Sequence, residues 1–243
     1  MYNKTVLITG AAKRIGAAVA KYLHIAGMNV IVHYNKSAKE AHELVRGLNN
    51  LRHDSAITIQ GNLASKEYYA ALIDAAVEFK GGLDVLINNA SAFFPTPVGT
   101  LDEQQWNELI NTNLKAPLFL SQLAAKSLKK NKGCIINITD IHAERPLAQY
   151  PIYSISKAGL LMLTRSLAKE LAPVIRVNAI SPGVITWPDA MDESMKQSII
   201  NQTMLKRTGE MEDISKAVMF LIRDADYITG QIINVDGGRT LYS

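Results

Sequence analysis

Thr5-Val6-Leu7-Ile8-Thr9-Gly10-Ala11-Ala12-Lys13-Arg14-Ile15-Gly16 decides the fold. An apolar run rich in β-branched residues passes through a glycine turn directly into AAVAKYLHIAG, which has helical period. Gly10 permits a tight turn, and Gly16 lets the helix pack close to the strand. The helix N-terminus then offers unpaired N–H groups to an anion. At the first strand–helix junction of an α/β chain, this pattern predicts a dinucleotide pyrophosphate. A purely structural turn is the plain alternative.

Outward from this stretch the same unit repeats. Asn29–His33, Ala56–Gln60, Asp84–Asn88, Cys134–Thr139, Ile175–Ile180 and Gln231–Val235 are short and almost continuously apolar, as strands covered on both faces must be. Between the strands lie helical stretches at Arg14–Ala26, Ala38–Leu51, Lys66–Phe79, Asp102–Leu128, Tyr153–Leu171 and Glu212–Ile222. No linker or fixed-period repeat interrupts them. The expectation is one α/β domain over residues 1–243, with a seven-stranded, mostly parallel, doubly wound sheet and helices on both faces. One segment breaks the rhythm. Residues 184–205 follow Pro182-Gly183 and hold Trp187, Pro188 and the acids Asp189, Asp192 and Glu193. Placed after a strand end, where open α/β sheets bind ligands, they read as a substrate-covering loop and helix, or else as a surface insertion.

Composition narrows the classes. The 243 residues are 48% hydrophobic and 20% charged, which is globular rather than disordered. The net charge of +4 is scattered, so no basic stripe points to nucleic acid. The N-terminus lacks a signal-peptide core and no apolar run is of membrane-spanning length, so a cytoplasmic protein is expected. The single cysteine, Cys134, excludes an internal disulfide and reads as a buried hydrophobe. His24, His33, His42, His53 and His142 form no ligand pattern, so no metal is expected.

The second strand selects the dinucleotide. An NAD site presents an acid to the ribose 2′-hydroxyl about 20 residues past the glycines. Here Tyr34-Asn35-Lys36-Ser37 carries none. Lys36, the Ser37 hydroxyl and Arg14 are suited to a 2′-phosphate, which favours NADPH; a solvated loop lysine is the alternative for Lys36. Farther on, Tyr153 and Lys157 are spaced by four and share one helical face. A phenol near pKa 10 exchanges protons poorly at neutral pH, and a neighbouring ammonium favours its phenolate.

With TGAAKRIG, Asn88-Asn89-Ala90, Asn113 in NTNLKAP, Tyr153/Lys157, Pro182-Gly183 and Val235-Asp236-Gly237-Gly238, the sequence resembles the short-chain dehydrogenase/reductase family over its whole length. The resemblance implies a Rossmann fold. It implies cofactor contacts from Gly10, Arg14, Ile15 and Gly16, from Asn89, Ala90 and Ser91, and from Tyr153, Lys157, Pro182 and Gly183. Asn62-Leu63 resembles the adenine-contacting pair, with Asn where the family more usually has Asp. Tyr153 is implied as proton donor, Lys157 as the partner lowering its pKa, and Asn113 as the holder of a relay water. The apolar faces of Asp102–Leu128 and Tyr153–Leu171 are implied to pair between subunits of a homotetramer.

Two departures point to one branch of that family. Asp140 stands where the family's catalytic serine falls, and Ser91-Ala92-Phe93-Phe94 follows Asn-Asn-Ala in place of glycine. These features, with Arg14 and His33-Tyr34-Asn35-Lys36-Ser37, resemble the pteridine reductases. By that resemblance Phe93 stacks on a pterin, Ser91 and Arg14 contact pterin or cofactor, and Asp140 joins Tyr153 and Lys157 in catalysis. The plain readings are core filling for Phe93 and a helix cap for Asp140. The expected activity is NADPH-dependent reduction of dihydrobiopterin- or dihydromonapterin-like substrates, with dihydrofolate a further candidate. The alternatives are a carbonyl reductase, such as one acting on 3-oxoacyl thioesters, and a non-catalytic NADPH-binding protein. A carboxylate at 140 opposes an oxyanion-like carbonyl, which counts against the first. The intact Asn113, Tyr153 and Lys157 count against the second.

Overall fold

Alternate residues along the strands sort to opposite sides of the sheet, and this builds two cores. In the computed structural model, which describes residues 2–187 and 191–242, the strands are β1 (Thr5–Ile8), β2 (Asn29–Tyr34), β3 (Ala56–Gln60), β4 (Val85–Asn88), β5 (Cys134–Ile138), β6 (Arg176–Pro182) and β7 (Ile232–Val235). All pair in parallel in the order β3-β2-β1-β4-β5-β6-β7, so the sheet is wholly rather than mostly parallel. Val6, Ile8, Val30, Val32, Val85, Ile87 and Ile136 point to one face. They pack under α1 (Arg14–Ile25), α2 (Ala38–Leu51) and, over the β5–β7 half of that face, α8 (Met211–Arg223). Leu7, Ile31, Leu86, Ile135 and Val177 point to the other, covered by α3 (Glu67–Glu78), α5 (Ala116–Lys130) and α6 (Pro151–Leu171). Leu7, Ile31 and Leu86 are fully buried, and truncating one to Ala costs about 2–5 kcal/mol.

The chain turns back between β1 and β4, adjacent strands from different halves. The C-terminal ends of those strands diverge there into loops, which is where an open parallel sheet opens a crevice. The helix expected over Asp102–Leu128 is not continuous. It starts at α4 (Glu103–Ile110), where Asp102 and Gln105 form a capping box. It then widens into a π turn at Asn111–Lys115 before α5. Such a turn marks a place where local geometry overrides the α-helical period. In the segment after β6, α7 (Glu193–Asn201) begins at Asp192, whose carboxylate accepts from the Met195 N–H at 2.8 Å. Pro188, Asp189 and Ala190 of the expected covering segment lie outside the described residues.

Candidate active site

The glycine turn is dictated by close approach. Gly10 has φ of +61°, and a Cβ there would lie 2.8 Å from Ala90 Cα; one at Gly16 would lie 2.7 Å from Asn89 Nδ2. The β4 end fits against this turn through Thr9, whose hydroxyl accepts from the Asn89 and Ala90 N–H groups at 2.9 and 3.0 Å. Asn89 Nδ2 donates to the Thr9 and Gly10 carbonyls. Helix α1 starts at Lys13 with no side chain capping its first turn. Its orphan N–H groups therefore face the cleft with the positive end of the helix dipole.

Across β2, His33 is 1% exposed and makes two main-chain bonds. Gly10 N–H donates to its Nδ1 at 3.1 Å, so Nε2 carries the proton and donates to Gly61 O at 3.0 Å. Burial lowers its pKa to about 4, against a small upward pull from the Gly61 bond. Beyond it, Ser37 begins α2 with its hydroxyl making no capping bond. Lys13 pairs with Glu40 at 2.7 Å. Among the described residues neither Arg14 nor Lys36 has a carboxylate partner, and both are exposed.

A cleft of about 1640 Å³ joins these groups to the far side of β4. Gly10, Arg14, Ile15, Gly16, Tyr34, Asn35, Lys36, Ser37, Asn62, Leu63, Asn89, Ala90, Ser91, Pro182 and Gly183 all line it, as do Phe93, Asp140, Tyr153 and Lys157. So does Trp187, with Met191 and Ile199 from the segment expected to cover the substrate. Asn113 does not line it. Its side chain accepts from Ala92 N–H at 2.8 Å and Ser91 Oγ at 3.3 Å, and donates to Ala92 O and Ser156 Oγ, both at 3.0 Å. The amide is thus fully occupied in pinning the Ser91–Ala92 segment, and no side-chain atom is left for the expected relay water.

Pro151 stands at the start of α6, where its missing N–H costs nothing, and this places Tyr153 in the first turn. Tyr153 O–H donates to Asp140 Oδ2 at 2.7 Å. The other carboxylate oxygen accepts from His142 N–H at 2.8 Å, so Asp140 both caps a short 3₁₀ turn and faces the phenol. Lys157, one turn on, donates to Ile138 O at 3.1 Å and lies 5.7 Å from the Tyr153 ring centroid. Burial brings its pKa down to about 8, partly opposed by Asp140. The Tyr153 phenol is displaced in the direction opposite to the sequence expectation. Burial first, then the charge and hydrogen bond of Asp140, hold it well above the usual range. The phenol is therefore a bound O–H paired with a carboxylate, not a poised phenolate.

Phe93 is 50% exposed, which excludes core filling. Its ring stacks on Tyr150 with centroids 4.7 Å apart at 12°, and meets Tyr153 edge-on at 4.8 Å. With Tyr150 covering one face, a flat ligand can stack only on the other. Tyr150 and Ser156 were not legible as site residues; Thr9 and His33 were legible only as parts of motifs, and His142, which lines the cleft, only by its place two residues after Asp140. The available signal was a polar residue at the end of an apolar strand run, which fits Thr9 and His33. Among the described residues no cluster of His, Cys, Asp or Glu suits a metal, and no helix is long and apolar enough to cross a membrane.

The glycine turn, the ends of the parallel strands and the Tyr153/Lys157 helix face meet in one cleft. The family described as enoyl-(acyl carrier protein) reductase matches residues 10–240. The chain belongs to the short-chain dehydrogenase/reductase family and is an oxidoreductase of that type. It is 37% identical to pteridine reductase 1 of Leishmania tarentolae, covering 97% of this chain and 96% of that protein. It is 38% identical to the 3-oxoacyl-[acyl-carrier-protein] reductase FabG of Staphylococcus aureus strain Mu50, covering 97% and 98%. A 3beta-hydroxysteroid dehydrogenase 1 of Eggerthella lenta is 34% identical over 99% of this chain and 95% of that protein. Relatives of nearly equal identity thus carry different substrate names, and the substrate has to be argued from the residues of the cleft.

Proposed function

We propose that the protein is an NADPH-dependent pterin reductase, forming tetrahydropterins from dihydrobiopterin- or dihydromonapterin-like substrates. The observation that carries this reading is the Asp140–Tyr153 hydrogen bond of 2.7 Å beside the half-exposed ring of Phe93. A hydroxyl at position 140 would suit a carbonyl oxygen, which develops negative charge; a carboxylate suits a basic ring nitrogen or amino edge. Phe93, half-exposed in the cleft, would offer the ring surface that Tyr150 and Tyr153 leave open to a flat heterocycle, with Ser91 on the adjoining cleft wall.

The residues fit a dinucleotide. A Cβ at Gly10 or Gly16 would fill the cradle, and the α1 N-terminus faces it. Arg14, Lys36 and the free Ser37 hydroxyl would receive a 2′-phosphate, and Tyr34, Asn35, Asn62 and Leu63, which line the same cleft, would hold the adenosine half. Ala90, Pro182 and Gly183, also in the cleft wall, would hold the nicotinamide half. Bound NADPH supplies the hydride. The chain itself supplies the proton. Asp140 and Tyr153 hold one proton between two oxygens, and the ring nitrogen takes it from that pair. Lys157, mostly an ammonium at neutral pH, offsets the negative charge left behind. Asn113 keeps Ser91 and Ala92 in place rather than holding water through its side chain. The segment around Trp187, Met191 and α7 covers the substrate. Exposed Trp106, Leu118, Phe119 and Leu123 on α4–α5, with Ile155 and Met162 on α6, support pairing between subunits of a homotetramer.

The test is oxidation of NADPH, and separately of NADH, with dihydrobiopterin, dihydromonapterin, dihydrofolate and acetoacetyl thioester side by side. Turnover of a dihydropterin with NADPH preferred supports the reading. Turnover of the thioester alone refutes the pterin assignment and leaves a carbonyl reductase on the same scaffold.

A further inference from the structure

His33 is a buried titratable group that the proposed proton chemistry does not use. Its ring sits between the two turns that flank the adenosine half of the cleft. On one side is the β1–α1 turn at Gly10, and on the other the β3–α3 turn opening at Gly61. The main chain reinforces the same geometry: Ala11 N–H donates to His33 O at 2.9 Å and Gly61 N–H to Tyr34 O at 3.0 Å. We propose that His33 is a positioning residue of the dinucleotide site, a rigid two-ended spacer that fixes the phosphate-binding turn relative to the adenine-side turn.

The argument is one of hydrogen-bond accounting. Gly10 is partly buried in a left-handed turn packed against Ala90, and its N–H finds its acceptor in a ring that is itself buried. Nδ1 is that acceptor. That occupies the Gly10 N–H and leaves the α1 N-terminus to address the ligand. Nε2–H then satisfies Gly61 O, so one planar ring closes two turns from different crossovers. An Asn side chain reproduces the position of Nδ1 and a Gln side chain that of Nε2, but neither reproduces both. The ring's rigidity therefore sets the span.

This inference rests on the reading that the cleft takes a dinucleotide, and its test separates the two. Binding of NADPH and of adenosine 2′,5′-bisphosphate is measured by calorimetry for the wild type, His33→Asn and His33→Gln, with thermal melts alongside. Losing either buried bond is expected to weaken binding of both probes on the order of 10-fold, in His33→Gln by freeing the phosphate turn and in His33→Asn by freeing the adenine-side turn. Variants that bind as the wild type does, or that weaken only in step with lower melting temperatures, overturn the positioning role while leaving the cofactor reading intact. A wild type that binds neither probe overturns the cofactor reading and the inference with it. Nitrogen-15 NMR of the wild-type imidazole needs no variant: His33 is expected with Nδ1 unprotonated and Nε2 protonated at neutral pH, and a protonated Nδ1 overturns the assignment.

Discussion

Replacing Asp140 with Asn separates its two jobs. The amide oxygen still accepts from His142 N–H, so the 3₁₀ turn after β5 keeps its cap. Toward Tyr153, an Nδ2 replaces the carboxylate oxygen that now accepts the phenol at 2.7 Å. The charge and the exchangeable proton are lost together. Removing a positioned general acid or base lowers turnover about 10²–10⁴-fold, which at 1.36 kcal/mol per decade is about 2.7–5.4 kcal/mol of transition-state stabilisation. Folding should change by much less. A charge-assisted bond worth about 1.5–3 kcal/mol is lost, but the cost of holding a carboxylate half-buried is relieved as well. The assay is kcat/KM for a dihydropterin with NADPH, with the melting temperature as control. A kcat/KM within 3-fold of wild type, in a variant that melts normally, would show that Asp140 has no part in proton transfer.

Four further outcomes are expected. Phe93→Ala should raise KM for a dihydropterin by up to about 10-fold, the worth of one aromatic stack, while leaving the melting temperature almost unchanged because the ring is half-exposed. Lys36→Glu should reverse the preference for NADPH over NADH, read from the ratio of kcat/KM for the two cofactors; an unchanged ratio removes Lys36 from the phosphate site. Turnover should fall as pH rises through about 8, where Lys157 loses the ammonium that balances the Asp140–Tyr153 pair. His33, depressed to about 4, binds fewer protons folded than unfolded, so its stability contribution is full above pH 6.5 and is lost as pH falls from there toward 4. That contribution is about 3 kcal/mol at neutral pH, and urea unfolding at pH 7.5 and 4.5 should show it shrink in the wild type and less so in His33→Asn.

Much of the architecture was legible because strand burial is written in the sequence. Val6, Leu7 and Ile8 run on with no polar residue among them to mark a solvent face, and the same holds for Val85 to Ile87, so a two-sided cover was required. The glycine turn was legible for a steric reason, since a Cβ at Gly10 or Gly16 has nowhere to go. What escaped depended on long-range contacts. The break at Asn111–Lys115 carries no glycine or proline within it; Pro117, just beyond, removes the N–H that would bond the Asn113 carbonyl, and the Asn113 amide is held by Ala92 and Ser156, residues 21 and 43 positions away. The upward displacement of the Tyr153 phenol escaped for a similar reason. Spacing along α6 brings Lys157 close, but only the folded β5 loop brings Asp140 closer still.

The wide turn between α4 and α5 has a consequence for how chain length varies. A π turn holds one more residue than an α turn, so removing one residue from Asn111–Lys115 would bring α4 and α5 onto one α-helical period, interrupted only by the missing N–H of Pro117. The shortened chain would gain local regularity, yet every side chain upstream of the cut would rotate by about 100° relative to those downstream. Asn113 would swing off the Ser91–Ala92 segment, and Phe93 would lose its footing with it. Insertions and deletions are usually tolerated in surface loops and rejected in helices for the sake of packing. Here a helix is the one place where a deletion would improve the helix and spoil the enzyme, so the irregularity marks a fixed length in an element that otherwise looks free to shorten.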